Sequence, residues 1–197
     1  MTEPPFDPSG RLTTTLTAIA APAPYTPGGG SAAAIALALG LASVQKALNL
    51  SRAGKGQLSD AQLAELLTTL PRAEDLVGRA EEDRAAFAAL LRALRQPKTP
   101  SRRAAVDAAR GPAVSVPEHM LEDAITLAEA AARVAEHGNP NLTADAAAAA
   151  ELALAAGRVA HLNARANQRR AERKDYSESL RRLEAAARRA RQACDQP

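Results

Sequence analysis

The chain has 197 residues, enough for one ordinary domain with a real core, and its formal charge of +3 is too mild to mark a polyanion-binding protein by itself. Hydrophobic residues make up 46% of it but aromatic residues only 2%, so the core must be built from alanine and leucine with backbones in close approach, which favours helices over sheets. The single cysteine, Cys194, excludes an internal disulfide and stands apart from any metal-ligand cluster.

Residues 1–10 carry Glu3, Asp7 and three prolines where a secretion signal would have a basic start and an apolar run, so a cytoplasmic location is expected. Proline, threonine and glycine then dominate as far as residue 30, with a short helix expected at about 11–20. Ser31 reads as the N-cap of a helix running to about Leu50. This helix is strongly apolar over 31–44, but Gln45 and Lys46 end the run short of the ~20 residues of a membrane span. A buried helix is expected, with no membrane partner.

Ser59-Asp60-Ala61-Gln62 reads as a capping box, and leucines from Leu63 to Leu94 recur at helical spacing, so one long helix is expected, with Pro71 the point at which it could break. Thr99-Pro100 opens a helix that Gly111-Pro112 is expected to interrupt, and a second capping box, Ser115-Val116-Pro117-Glu118, starts another that stops at Gly138. Thr143 is the expected N-cap of an alanine-rich helix to about Asn167, and a charged helix follows at about 175–195. No strand pattern competes. The fold class is therefore all-α, a multihelical bundle of long antiparallel helices forming one domain over 1–197. The small-residue face of the alanine helix suits a tight helix pair or a dimer interface, and the sequence leaves both open.

Arginine crowds the end of the chain at Arg169, Arg170, Arg173, Arg181, Arg182, Arg188, Arg189 and Arg191, together with Lys174. Glu172, Asp175, Glu178 and Glu184 are interleaved at helical spacings, which is the pattern of a solvated helix face, so nucleic acid is not an expected partner. His119 and His161 stand alone, without acids or cysteine at ligand spacing, and no metal site is expected.

The segment with most chemical content is Thr26-Pro27-Gly28-Gly29-Gly30-Ser31. Three glycines permit close backbone approach, and a following helix offers free N–H groups and a positive dipole end to an anion or a polar ring. The same pattern also serves as a plain flexible connection, and it is neither a Walker loop nor a dinucleotide fingerprint.

Order along the chain adds to this reading. The segment resembles the Pro-Thr-Pro-Gly-Gly-Gly-Ser signature of the cyclodeaminase/cyclohydrolase family, with Tyr25 in place of the first proline. Ala38-Leu39-Gly40, Asn49-Leu50-Ser51 and Gly54-Lys55 are similar to its next elements. Asp83 to Phe87, Leu94 with Pro97-Lys98-Thr99, and Val116-Pro117 resemble its Asp-x-x-Ala-Phe, Leu-Pro-Lys-x-Thr and Val-Pro. Gly138-Asn139 and Asp145-Ala146 follow in order, and Asn163 falls near a later asparagine, so the resemblance covers about 11–167. Two departures stand out: Gln45-Lys46 where the family is apolar with a Ser-Met pair, and one inserted residue before Gly54-Lys55.

The resemblance implies a helical homodimer that converts formimino-tetrahydrofolate to the methenyl form with loss of ammonia, or hydrolyses the methenyl form to formyl-tetrahydrofolate. Nothing in the motifs selects between them, although the lack of a formiminotransferase segment favours the hydrolase. No cofactor is implied beyond the folate substrate. Both reactions pass through a tetrahedral carbon and move protons at nitrogen and water, so a carboxylate is needed, and Asp83 and Asp145 are the acids in matching motifs. Asp83 also reads as an exposed helix residue paired to an arginine, and Asp145 as an acid favoured by the helix dipole. Gly28, Gly29, Gly30 and Ser31 are the expected substrate cradle, Lys55 and Lys98 candidates for the carboxylates of a glutamate tail, and Asn139 and Asn163 for the pterin ring. A non-catalytic relative that keeps the helical dimer as a binding or scaffolding protein is the alternative, resting on the changed stretch from Gln45 to Lys55.

Overall fold

A computed structural model describes residues 11–22, 26–52 and 54–195. Among them are seven α-helices and two single 3-10 turns, with no strand. Helix α1 (Arg11–Ala20) rests on α2 (Gly29–Leu50), and α3 (Asp60–Thr69) and α4 (Ala73–Leu94) are two helices divided at Pro71 rather than the one long helix expected. Then come α5 (Pro100–His137), α6 (Thr143–Asn167) and α7 (Ser177–Cys194).

Helix α6 is the centre of the bundle and packs on α2, α5 and α7, while α4 packs on α2 and α5. Its buried face is nearly all small: Ala146, Ala149, Ala150, Ala153, Gly157, Ala160 and Ala164. At Gly157 an added Cβ would lie 2.5 Å from Leu183 Cδ2 and 3.0 Å from Ala124 Cβ, so α5 and α7 both close in on α6 at a point that admits no side chain. Leucines fill what the alanines leave, with Leu37, Leu41, Leu48, Leu63, Leu76, Leu121, Leu127 and Leu183 all fully buried. The apolar helix α2 turns Leu37, Leu41, Val44 and Leu48 into this core and leaves Leu39 and Leu50 outside.

Two further boundaries are corrected. Helix α2 starts at Gly29 with Gly28 as its N-cap, so the helix draws on the glycine run itself and Ser31 is its third residue. Helix α5 is one helix of 38 residues, continuous through Gly111, Pro112 and Pro117 where the sequence suggests an interruption and a fresh start. A helical proline removes one donor and leaves the carbonyl four residues earlier without its partner. For Pro112 that carbonyl belongs to the exposed Ala108, where water can serve it. For Pro117 it belongs to the buried Ala113, and the Asn167 Nδ2 donates to it at 2.7 Å. The segment ahead of both prolines is held by a second apolar cluster in which Val106 and Ala113 meet Ala86, Leu90 and Ala93 of α4.

The charged C-terminal helix runs along the bundle as a solvated face. Arg182 and Arg189 of α7, two turns apart, pair bidentately with Glu129 and Glu136 of α5, and Arg158 of α6 meets Glu184 at 2.8 Å. Arg191 reaches Glu151 of α6, and Arg181 pairs within α7 to Glu178.

Candidate active site

Helices α2 and α6 run antiparallel, so the first turn of α2 faces the last turn of α6, and α4 crosses beside both. Where the three meet, a cavity of about 220 Å³ is lined by Thr26, Gly28, Gly29 and Gly30, by Asp83 and Phe87 of α4, and by Asn163, Ala166 and Asn167 of α6. The two α4 residues and the two asparagines are each four positions apart, so each pair lies on one helix face.

The acidic run Glu81-Glu82-Asp83 splits in three directions. Glu81 pairs with Arg84 and Glu82 with Arg79 at 2.8 Å. Asp83 alone turns inward, against Gly30, where a Cβ would overlap its carboxyl group. Its carboxylate makes no hydrogen bond and no ion pair among the described residues, and burial pushes it above the ordinary carboxylate range. The reading of Asp83 as an exposed partner of an arginine is thus corrected: Glu81 takes that place, because it lies one helical turn from Arg84 on the solvent side.

Gly28, Gly29 and Gly30 form one wall, and no side chain caps the start of α2, which leaves its positive end towards the cavity. Asn163 stands on the opposite wall. Asn167, next to it, is fixed by two contacts with α5: its side chain donates to the Ala113 carbonyl, and its own carbonyl accepts from Arg110. Gln168, the residue after α6, is buried and donates from Nε2 to the Tyr176 hydroxyl at 2.6 Å, and that hydroxyl donates to Glu118 of α5. The end of α6 that carries both asparagines is therefore anchored on α5.

Five of the other sequence candidates lie elsewhere. The Ser31 hydroxyl is buried and donates to the Ala80 carbonyl at 2.9 Å, outside the cavity lining. Asn139 is buried at the far end of α2, about 30 Å away along a helix of this length. Its N–H donates to Ser51 Oγ at 2.8 Å and its Nδ2 to the Leu50 carbonyl at 3.1 Å, which hold the α5–α6 turn onto the end of α2, while its Oδ1 accepts from Asn141 N within the turn, so both polar atoms of its side chain are engaged. Asp145 sits in the first turn of α6 at that same end and pairs with Lys46 at 3.2 Å. Lys55 lines a separate cavity there with His137 and Gly138, and Lys98 is exposed between α4 and α5. The described residues of the changed stretch from Gln45 to Lys55 are likewise at the far end, and none of them lines the Asp83 cavity. Tyr25 lies outside the described residues.

Neither histidine enters the site. His119 is exposed, and His161 packs edge-on against Tyr176 with ring centroids 5.3 Å apart, its basicity lowered by burial and by Arg165. The larger hollow of about 540 Å³ between α5 and the segment after α6 is walled by charges that pair among themselves, Arg169 with Asp107 and Lys174 with Glu118. Thr26, Phe87, Ala166 and Asn167 are the lining residues not singled out as ligands from the sequence. The i, i+4 spacing of Asn163 and Asn167 was the available signal for the last of these.

A cradle of glycines at a helix start, facing one unpaired carboxyl and two amides in an all-helical bundle, defines the class of protein. Over residues 11–186 the chain matches the family model described as Formiminotransferase-cyclodeaminase, and it belongs to that family. Its fold is that of the crystal structure of formiminotetrahydrofolate cyclodeaminase from Thermotoga maritima, with a TM-score of 0.72 over 93% of this chain and 95% of that one, at 24% identity. No curated protein matches the chain.

Proposed function

We propose that this chain is an enzyme of folate one-carbon chemistry that acts on the carbon bridging two nitrogens of a tetrahydrofolate derivative. It either hydrolyses 5,10-methenyltetrahydrofolate to 10-formyltetrahydrofolate or closes 5-formiminotetrahydrofolate to the methenyl form with release of ammonia. The observation that carries this reading is the Asp83 carboxyl, turned inward without a partner among the described residues, against Gly30 in the cavity that the Gly28–Gly30 cradle and Asn163 also line. Membership of the family and the fold it shares with a formiminotetrahydrofolate cyclodeaminase support it.

In the hydrolysis, water adds to the bridging carbon, the carbon–N5 bond of the adduct breaks, and a proton passes from the incoming water to the departing nitrogen. In the cyclisation, N10 adds to the formimino carbon, and the terminal nitrogen takes a proton to leave as ammonia. Each needs one group that accepts and returns a proton near neutral pH, a task suited to a carboxyl whose burial raises its pKa. Asp83 takes this role, with its charged form also placed to stabilise the cationic amidine. Asn163 supplies an amide to the polar edge of the ring, and the open start of α2 supplies N–H groups.

A cavity of about 220 Å³ is smaller than the ~300–1,000 Å³ of most small-molecule sites, so it houses one ring system and leaves the rest of a folate outside. Asp145, Lys55, Lys98 and Asn139 receive no role in this cavity. A homodimer is also proposed, through the side of α2 where Leu39 and Leu50 remain 51% and 47% exposed, and light scattering on the purified protein tests it.

The deciding experiment follows methenyl-tetrahydrofolate absorbance above its spontaneous decay, alongside ammonia release from formimino-tetrahydrofolate. One of the two is expected to be accelerated, and Asp83→Asn is expected to remove ~10²-fold or more of that rate. Acceleration of neither overturns the proposal.

A further inference from the structure

Three hydroxyl side chains in or at the end of the first two helices bond back along their own helix. Thr17, Ser43 and Ser51 each donate to the carbonyl four residues earlier in the chain, at 2.9, 3.2 and 2.7 Å. Ser31 cannot do so inside its helix, since it is the third residue of α2 and the carbonyl four back, that of Pro27, precedes the helix. Its hydroxyl reaches out of α2 to the Ala80 carbonyl of α4 instead, at 2.9 Å and only 2% exposed. Among the described residues this is the one hydrogen bond between α2 and α4.

Its position matters because of what adjoins it on each side. Ser31 follows Gly30, the residue covered by the Asp83 carboxyl, and Ala80 precedes Asp83 by three positions on the same face of α4. The bond and the carboxyl–glycine contact therefore lie side by side and share one interhelical distance. That distance is opposed by the carboxyl itself, since an unpaired acid loses hydration when the helices close over it. A force holding α4 to α2 at this point is needed, and the apolar residues near it are small: Gly30, Ala33 and Ala34 on α2.

We propose that Ser31 is a positioning residue for Asp83: its hydrogen bond to the Ala80 carbonyl sets the α2–α4 spacing that keeps the Asp83 carboxyl inside the cavity and against Gly30. This rests on the reading of Asp83 as the proton-carrying group, but its test need not. In the absence of the bond α4 is free to ease away by a few tenths of an ångström, water reaches the carboxyl, and Asp83 titrates closer to an ordinary aspartate.

The test is a carbon-13 titration of the aspartate carboxyl groups in the whole chain, with Asp83 assigned by its loss in Asp83→Asn. Ser31→Ala is expected to lower the Asp83 midpoint by about half a pH unit or more, while Ser43→Ala, which removes a hydroxyl bonded within its own helix, leaves it unmoved. An unchanged midpoint in a folded Ser31→Ala protein overturns the proposal, and so does an equal shift in Ser43→Ala. If Ser31→Ala does not fold, Ser31→Cys, with a longer and weaker donor, must show a smaller shift in the same sense, and an unshifted midpoint there overturns it equally. Because the readout is a titration, failure here leaves the folate assignment standing, and absence of turnover on either folate leaves the Ser31 result standing.

Discussion

The carboxyl group of Asp83 lies directly over the α-carbon of Gly30, closely enough that any side chain at position 30 would occupy its place. Gly30→Ala is accordingly expected to push Asp83 out of the cavity while α2, whose first turn accepts alanine readily, still forms. Turnover should fall by ~10²-fold with a stability loss of about 1–3 kcal/mol, separating this site from a merely structural glycine. Kinetics and thermal unfolding on the same preparation check both figures.

Asp83 also gives stability a pH dependence of definite sign. Its proton is held more tightly in the folded chain than in the unfolded one, so the native state binds more protons between the unfolded value of ~3.9 and the raised folded value. The contribution of Asp83 is fully favourable below that window and is lost as pH rises through it. Asp83→Asn, which removes the titration, is expected to raise the unfolding temperature at neutral pH and to change it little in acid. Melting curves across this range decide the matter, and an equal effect at both ends would contradict it.

At the other wall, Asn167 serves a carbonyl that Pro117 has left without a donor. Asn167→Ala should cost about 1–3 kcal/mol, because the Ala113 carbonyl is then buried unpaired. Adding Pro117→Ala restores a helical N–H to that carbonyl, so the double variant is expected to recover part of the loss. A double-mutant cycle by denaturant unfolding measures the coupling.

Asn139 offers the contrasting case. Two of its hydrogen bonds join the α5–α6 turn to the end of α2 and a third braces the turn itself, far from Asp83. Asn139→Ala is expected to destabilise the fold by about 1–3 kcal/mol with KM unchanged. Steady-state kinetics at a temperature where the variant stays folded provide the check.

Much of the architecture was legible in the sequence because it is written in local signals. Pro71 separates α3 from α4, and Ser59 with Gln62 forms the capping box its spacing implies. The prolines of α5 misled for a physical reason: whether a helix survives a proline depends on who serves the freed carbonyl, and Asn167 is 54 residues from Ala113. The site divided along the same line. Gly28, Gly29, Gly30, Asp83 and Asn163 come from three motifs that converge, whereas Asn139, Asp145 and Lys55 belong to motifs at the opposite end of α2. Motif order cannot reveal which end of an antiparallel bundle a residue reaches. Nor could the inward turn of Asp83 be read from three acids in a row, since only the packed neighbour, Gly30, distinguishes it from Glu81 and Glu82.

The arginines of α7 read correctly as a solvated face, because their partners are interleaved or aligned two turns apart on α5. Such exposed pairs contribute ~1 kcal/mol or less each and are screened by salt. Arg182→Gln with Arg189→Gln should lower stability by no more than about 2 kcal/mol, and less in high salt, as denaturant unfolding at two ionic strengths would show.

A proline in mid-helix is usually counted as a defect, yet Pro117 gives α5 something an unbroken ladder cannot: a main-chain acceptor free to receive a donor from the end of α6. Asn167 occupies that socket, so the last turn of α6 cannot fray in the usual way, and the amide protons beside the cavity should exchange on the timescale of global opening, unlike those of an ordinary helix end. A flaw in one helix thereby becomes the rigidity of another, at the place where a substrate would feel it.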